Sequence, residues 1–106
     1  MEPVSLYITA STREEAISIS HELLALRLIA CANIIEHVTS MYHWQGEIEH
    51  KSEAVIVAKS VRAHADAIIA KVKSMHSYNI PCVVVQPIMV GNPDFLDWIV
   101  AETKTP

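Results

Sequence analysis

Glycine is scarce in this chain, with only 2 in 106 residues. That leaves few positions for left-handed turns and none for a glycine-rich phosphate loop. Cysteine is equally scarce. Cys31 and Cys82 are too few for the disulfide framework of a small secreted domain, so both are expected as free thiols. Lys and Arg number 8 against 12 Asp and Glu, the formal net charge is −4, and the basic residues never cluster. No footprint for nucleic acid is therefore expected. The longest mainly apolar stretch, Ile80–Val90, is too short to cross a bilayer, so no membrane contact is expected. No charged-then-apolar leader opens the sequence, and the expectation is a soluble cytoplasmic protein.

What is present suits one globular domain over residues 1–106, with 51% hydrophobic and 19% charged residues. Val4–Ala10 is short and apolar and reads as a strand. In the following S-T-R-E-E, Ser11 with Glu14 or Thr12 with Glu15 forms a capping box. A helix is expected from there to about Leu28, with Ala16, Ile19, Leu23 and Leu26 on its apolar face. Ala30–Trp44 and Glu47–Lys59 read as a long hairpin. A two-residue Gln45-Gly46 loop sets Trp44 opposite Glu47 and His43 opposite Ile48. Ser60 is the expected N-cap of a second helix, whose stripe runs Val61, Ala65, Ile68, Val72, Met75. Pro81 precedes a β-branched run, Cys82–Val85, expected as a buried strand. Asn92-Pro93 opens a last helix whose apolar face carries Phe95, Leu96, Ile99 and Val100. The order is β α β β α β α. That is an α+β, ferredoxin-like βαββαβ sandwich with a long hairpin and an added C-terminal helix.

Several side chains invite chemistry. Ser40, Tyr42 and Trp44 share one strand face, which could be a packed sheet, a subunit contact or a ligand wall. Cys31 and Asn33 share another parity. Of the six histidines, His43 and His50 lie diagonally on one hairpin face, while His21 and His64 read as solvated helix residues. His76 falls at a helix C-terminus, where a cation meets the negative end of the dipole. Glu53 with His76, or Cys31 with His76, could form an acid–base or nucleophilic pair. No oxyanion loop or nucleophile motif accompanies them, so no enzyme is expected.

The combination A-C-A-N-I (Ala30–Ile34), S-x-Y-x-W-x-G (Ser40–Gly46), Glu53, Lys59, H-x-Y-x-x-P (His76–Pro81) and D-F-L-D-W-I (Asp94–Ile99) resembles the CutA family of divalent-cation tolerance proteins. The resemblance implies a ferredoxin-like homotrimer, in which long strands join across subunits. It implies tolerance to divalent metals, chiefly copper. It makes His76, with Met75 beside it, the metal candidate. Cys31, Asn33, Ser40, Tyr42, Trp44, Glu53, Lys59 and Tyr78 become positions of a ligand pocket near a subunit interface. Family members often read H-P-Y-E-x-P-E where this chain has H-S-Y-N-I-P-C. Two carboxylates are thus replaced, by Asn79 and Cys82, and copper binding is expected to be weak, with no obligatory cofactor. The alternative is a signalling or interaction module similar to the PII proteins, taking a small anionic ligand between subunits and answering to a protein partner.

Overall fold

A computed structural model describes residues 1–104. The elements are β1 (Pro3–Ala10), α1 (Arg13–Ala25), β2 (Cys31–Trp44), β3 (Glu47–Val61), a 3-10 turn (Arg62–His64), α2 (Ala65–Met75), β4 (Val83–Pro87) and α3 (Pro93–Glu102). The strands form one antiparallel sheet in the order β2-β3-β1-β4. This is the expected α+β, ferredoxin-like arrangement.

Alternation along the strands sorts side chains to two faces. Leu6, Ile8, Ile56 and Ala58 point one way and are fully buried, together with Ala16, Ile19 and Leu23 of α1 and Ile68 and Val72 of α2. Each such Leu, Ile or Val contributes on the order of 1.5–3 kcal/mol by leaving water. The other face carries Tyr7, Val57, Lys59 and Val84, and α1 and α2 do not cover it. There α3 packs near β3 and β1, where Val61 and Ile99 are buried.

Four local expectations change. Helix α1 stops at Ala25 rather than near Leu28. Arg27 turns left-handed (φ 57°), and the Leu28 and Ile29 amides both return to the Leu23 carbonyl. Leu26 is consequently exposed and Ile29 takes its place in the core. Ser60 is not a helix cap, because β3 runs on to Val61. Its hydroxyl donates to the Leu28 carbonyl instead. Val61 accordingly packs on the α3 face rather than in the α2 stripe. Strand β4 is an edge, not a fully buried strand: Val83 and Val85 meet the core while Val84 is exposed.

The hairpin closes as expected through Gln45 (φ 50°) and Gly46 (φ 83°), with Trp44 opposite Glu47 and His43 opposite Ile48. Both loop residues need positive φ, which is the condition for a type I′ turn. A Cβ built on Gly46 meets nothing within 4 Å, so the cost of adding one is backbone strain alone. Gly46→Ala should therefore lose roughly 1–2 kcal/mol in urea denaturation, without changing the fold.

Two further features set up the functional site. β1 pairs β3 only as far as Ala10 opposite Ala54, so the hairpin beyond that rung projects as an unsupported arm. The molecule accordingly measures 44 × 26 × 22 Å. β2 also carries one extra residue between Ile35 (opposite Val55) and Val38 (opposite Glu53), with His37 left-handed at φ 60°. This bulge shifts the phase of the strand by one. Cys31 and Asn33 before it therefore share a face with Ser40, Tyr42 and Trp44 after it.

Candidate functional site

The connector from His76 to Cys82 leaves the end of α2 and passes the end of β1. Glu53, the first β3 residue beyond that end, has no β1 partner. Tyr78 comes to it there, and its hydroxyl donates to Glu53 Oε2 at 2.7 Å. Lys51, two residues earlier on the same strand face, places Nζ 3.7 Å from the centre of the Tyr78 ring, a cation–π contact. Glu53 is only 7% exposed. Burial is the main cause that raises the Tyr78 phenol above its ordinary range, and the hydrogen bond and charge of Glu53 add to it.

The arm and the connector enclose a cleft of about 770 Å³. It is lined by Tyr7, Thr9, Ser40, Met41, Tyr42, His43, Trp44, Lys51, Glu53, Tyr78, Asn79, Ile80 and Cys82. The size falls in the range of small-molecule sites. Of the expected pocket residues, the structure gathers Ser40, Tyr42, Trp44, Glu53 and Tyr78. Cys31, Asn33 and Lys59 lie on the same sheet face but outside the cleft. Cys31 pairs with Lys59 near the base of the hairpin, and Asn33 is roughly 20 Å along the strand from Ser40 at about 3.3 Å per residue. Cys31 and His76 are not brought together. Cys82, expected in the core, is half-buried on the cleft wall instead.

His76 has a different setting from the expected one. Its side chain is fully buried. Nε2–H donates to the Thr9 carbonyl at 2.7 Å, and Nδ1 accepts from the Tyr78 amide at 3.1 Å. Both ring nitrogens are thus engaged by backbone, which selects the neutral tautomer with the proton on Nε2. The ring also lies 4.6 Å from that of Tyr78. Met75 packs partly buried against the core. His64 is not a solvated helix residue, because its Nε2–H donates to the Thr103 carbonyl at 2.7 Å. His43 and His50 are exposed, on one face as expected. Among the described residues, no group of three or more His, Cys, Asp or Glu is placed to hold a metal ion.

Beneath His76 lies Glu15, which sequence reasoning used only as half of a capping box. Thr12 is the N-cap, and its hydroxyl accepts from the Glu15 amide at 3.1 Å. Glu15 Oε1 accepts from both the amide and the hydroxyl of Ser11, and Oε2 accepts from the Ser77 amide at 3.0 Å. Burial opposes ionisation of Glu15, but these donors outweigh it and hold the carboxyl below its ordinary range. One side chain thereby joins the start of α1 to the connector that carries Tyr78. Lys51 is the other residue missed. Its signal was its place two residues from Glu53, which sets both on one strand face.

An antiparallel four-stranded sheet with a projecting hairpin arm, and a cleft walled by the segment after α2, defines the class of protein. The sequence profile of the CutA1 divalent ion tolerance proteins matches residues 4–102. The chain is 38% identical over 99 residues to the divalent-cation tolerance protein CutA of Thermus thermophilus, covering 93% of this chain and 95% of that one. It is 40% identical to the CutA of Archaeoglobus fulgidus, over 89% and 91% of the two chains. Among solved structures, CutA1 from Oryza sativa superposes with a TM-score of 0.95 at 27% identity, covering 100% of this chain and 97% of that one. CutA1 from Ehrlichia chaffeensis gives 0.92 at 33% identity, over 98% and 97%. The Archaeoglobus structure (TM-score 0.93, 37% identity, covering 96% of this chain and 99% of that one) is described as a periplasmic divalent cation tolerance protein. The chain belongs to the CutA1 divalent ion tolerance family.

Proposed function

We propose that the chain serves divalent-cation tolerance as a cytoplasmic homotrimer, with the cleft beside Tyr78 as its working site and copper as a weakly held metal. The observation that carries this reading is the projecting arm. Beyond β1 it leaves Tyr42, Trp44, Met41 and Ile48 exposed, at 37%, 44%, 70% and 68%. Apolar and aromatic surface of this kind on both faces of a two-stranded arm is what subunit assembly covers. A neighbouring subunit seated there would also close the open side of the cleft. Two free cysteines favour a reducing compartment, in contrast to the location given for the Archaeoglobus relative.

Copper at His76 would have to take Nδ1 from the Tyr78 amide, and Met75 would have to leave the core. Both requirements favour weak binding. Isothermal titration with copper(II) on the trimer, its mass first checked by sedimentation, should give weak heats. His76→Gln, with circular dichroism confirming the fold, should reduce the affinity at least about tenfold, or 1.4 kcal/mol. Identical isotherms would remove His76 from the metal role.

Lys51 supports a second reading, a PII-like signalling or interaction module that binds a small ligand between subunits. It is a cation in the cleft with no carboxylate partner among the described residues. A carboxylate or another anionic group would find its complement there. A protein partner would then read the occupied state.

A further inference from the structure

All three tyrosines of the chain and one of its two tryptophans converge on the same cleft, through Tyr7, Tyr42, Tyr78 and Trp44. Aromatics make up only 6% of the residues, so this concentration marks the cleft walls as stacking and apolar surfaces. Two full charges of opposite sign stand in those walls. Lys51 rests on the Tyr78 ring with no acidic partner among the described residues. Glu53 gives one oxygen to Tyr78, and no hydrogen bond among the described residues reaches its other oxygen. His43 is the remaining titratable group of the cleft besides Cys82 and the tyrosines.

This pattern discriminates between ligands. A simple anion attracted to Lys51 is repelled by Glu53, and a simple cation attracted to Glu53 is repelled by Lys51. In a half-buried site of lowered dielectric such like-charge contacts are costly. A molecule that carries both charges close together, on a body that fits against aromatic rings, satisfies both walls at once. Residues 51 and 53 lie two apart on one strand face, so their side chains start about 7 Å apart. An ammonium and a carboxylate on a single carbon can reach one each.

We propose that the cleft binds a zwitterionic α-amino acid with an apolar or aromatic side chain. Its carboxylate meets Lys51, its ammonium meets the free oxygen of Glu53, and its side chain lies against Trp44 and Tyr42. The proposal rests on the cleft being a ligand site and names the ligand class. Thr9 and Asn79, also in the cleft wall, supply neutral polar groups at its margin.

The test is a fluorescence titration of the full-length protein carrying Trp98→Phe, so that Trp44 is the only reporter. Three probes share one ring: L-phenylalanine, 2-phenylethylamine and 3-phenylpropionate. Phenylalanine should saturate the signal, and each singly charged analogue should bind at least about tenfold more weakly. Lys51→Met should erase the preference over the amine, and Glu53→Gln the preference over the acid. The amide of Glu53→Gln keeps an acceptor for Tyr78, so the fold is retained, with circular dichroism as the check. Equal or tighter binding of phenylpropionate would overturn the zwitterion while leaving the cleft as an anion site. If none of the three probes moves Trp44 but citrate or inorganic phosphate does, the amino-acid class falls and the cleft reading stands. Silence toward all five compounds would overturn both.

Discussion

Glu15→Ala should lower the unfolding free energy by about 2–3 kcal/mol, one of the two largest effects expected of a single side chain here. The carboxylate is only 15% exposed and accepts from three donors on two segments far apart in sequence. Charge-assisted hydrogen bonds contribute about 1.5–3 kcal/mol, and the amides left behind would lose their acceptor. The effect should vary with pH. The folded state lowers the pKa of Glu15, so its contribution is present above the ordinary value of 4.5 and is lost as pH falls through the lowered one. Urea midpoints of wild type and Glu15→Ala should therefore differ at neutral pH and converge in acid. A constant difference down to strongly acidic pH would show that packing, not charge, is what Glu15 supplies. Because Ser77 is released as well, Trp44 and Tyr78 signals should change before global unfolding.

Ile56→Ala should be larger, at about 3–4 kcal/mol. Ile56 is fully buried at the middle of β3, opposite Ile8 on β1 and Ile34 on β2. Removing its outer carbons forfeits their transfer energy and leaves a void that a row of β-branched neighbours on two fixed strands cannot close. Against a typical total of about 5–15 kcal/mol, this is a large fraction. Urea denaturation at matched protein concentration measures it. The slope should stay unchanged, because the surface exposed on unfolding is nearly the same.

These residues also show what could be read from the sequence. The hairpin and the register of its arm were legible because Gly46 fixes the turn and strand alternation fixes the pairs behind it as far as the bulge at Glu36 and His37, beyond which the phase of β2 was not legible. The core stripes of α1 and α2 were legible for the same reason, since periodicity records burial. The end of α1 was not, because Arg27 takes a left-handed conformation that glycine would have announced. Ser60 misled because a serine before an apolar repeat looks like a cap, while the local sequence does not reveal that β3 continues. The site was half legible. Tyr42, Trp44, Glu53 and Tyr78 carry the family motif. Lys51 and Glu15 act through partners 27 and 62 residues away, Tyr78 and Ser77, and no local pattern encodes such contacts. The engagement of both His76 nitrogens by the backbone is likewise invisible in the order of residues.

The extra residue in β2 makes the strand two rulers laid end to end, half a period out of step. Had β2 kept one alternation from Cys31 onward, Met41 and His43 rather than Tyr42 and Trp44 would stand on the sheet face of Cys31 and Asn33. The bulge, with no glycine or proline to mark it, thus sets which alternation of β2 shares a face with Cys31 and Asn33. It also absorbs length: removing either Glu36 or His37 would leave Ile35 opposite Val55 and Val38 opposite Glu53, so the core and the aromatic wall of the arm would both keep their residues.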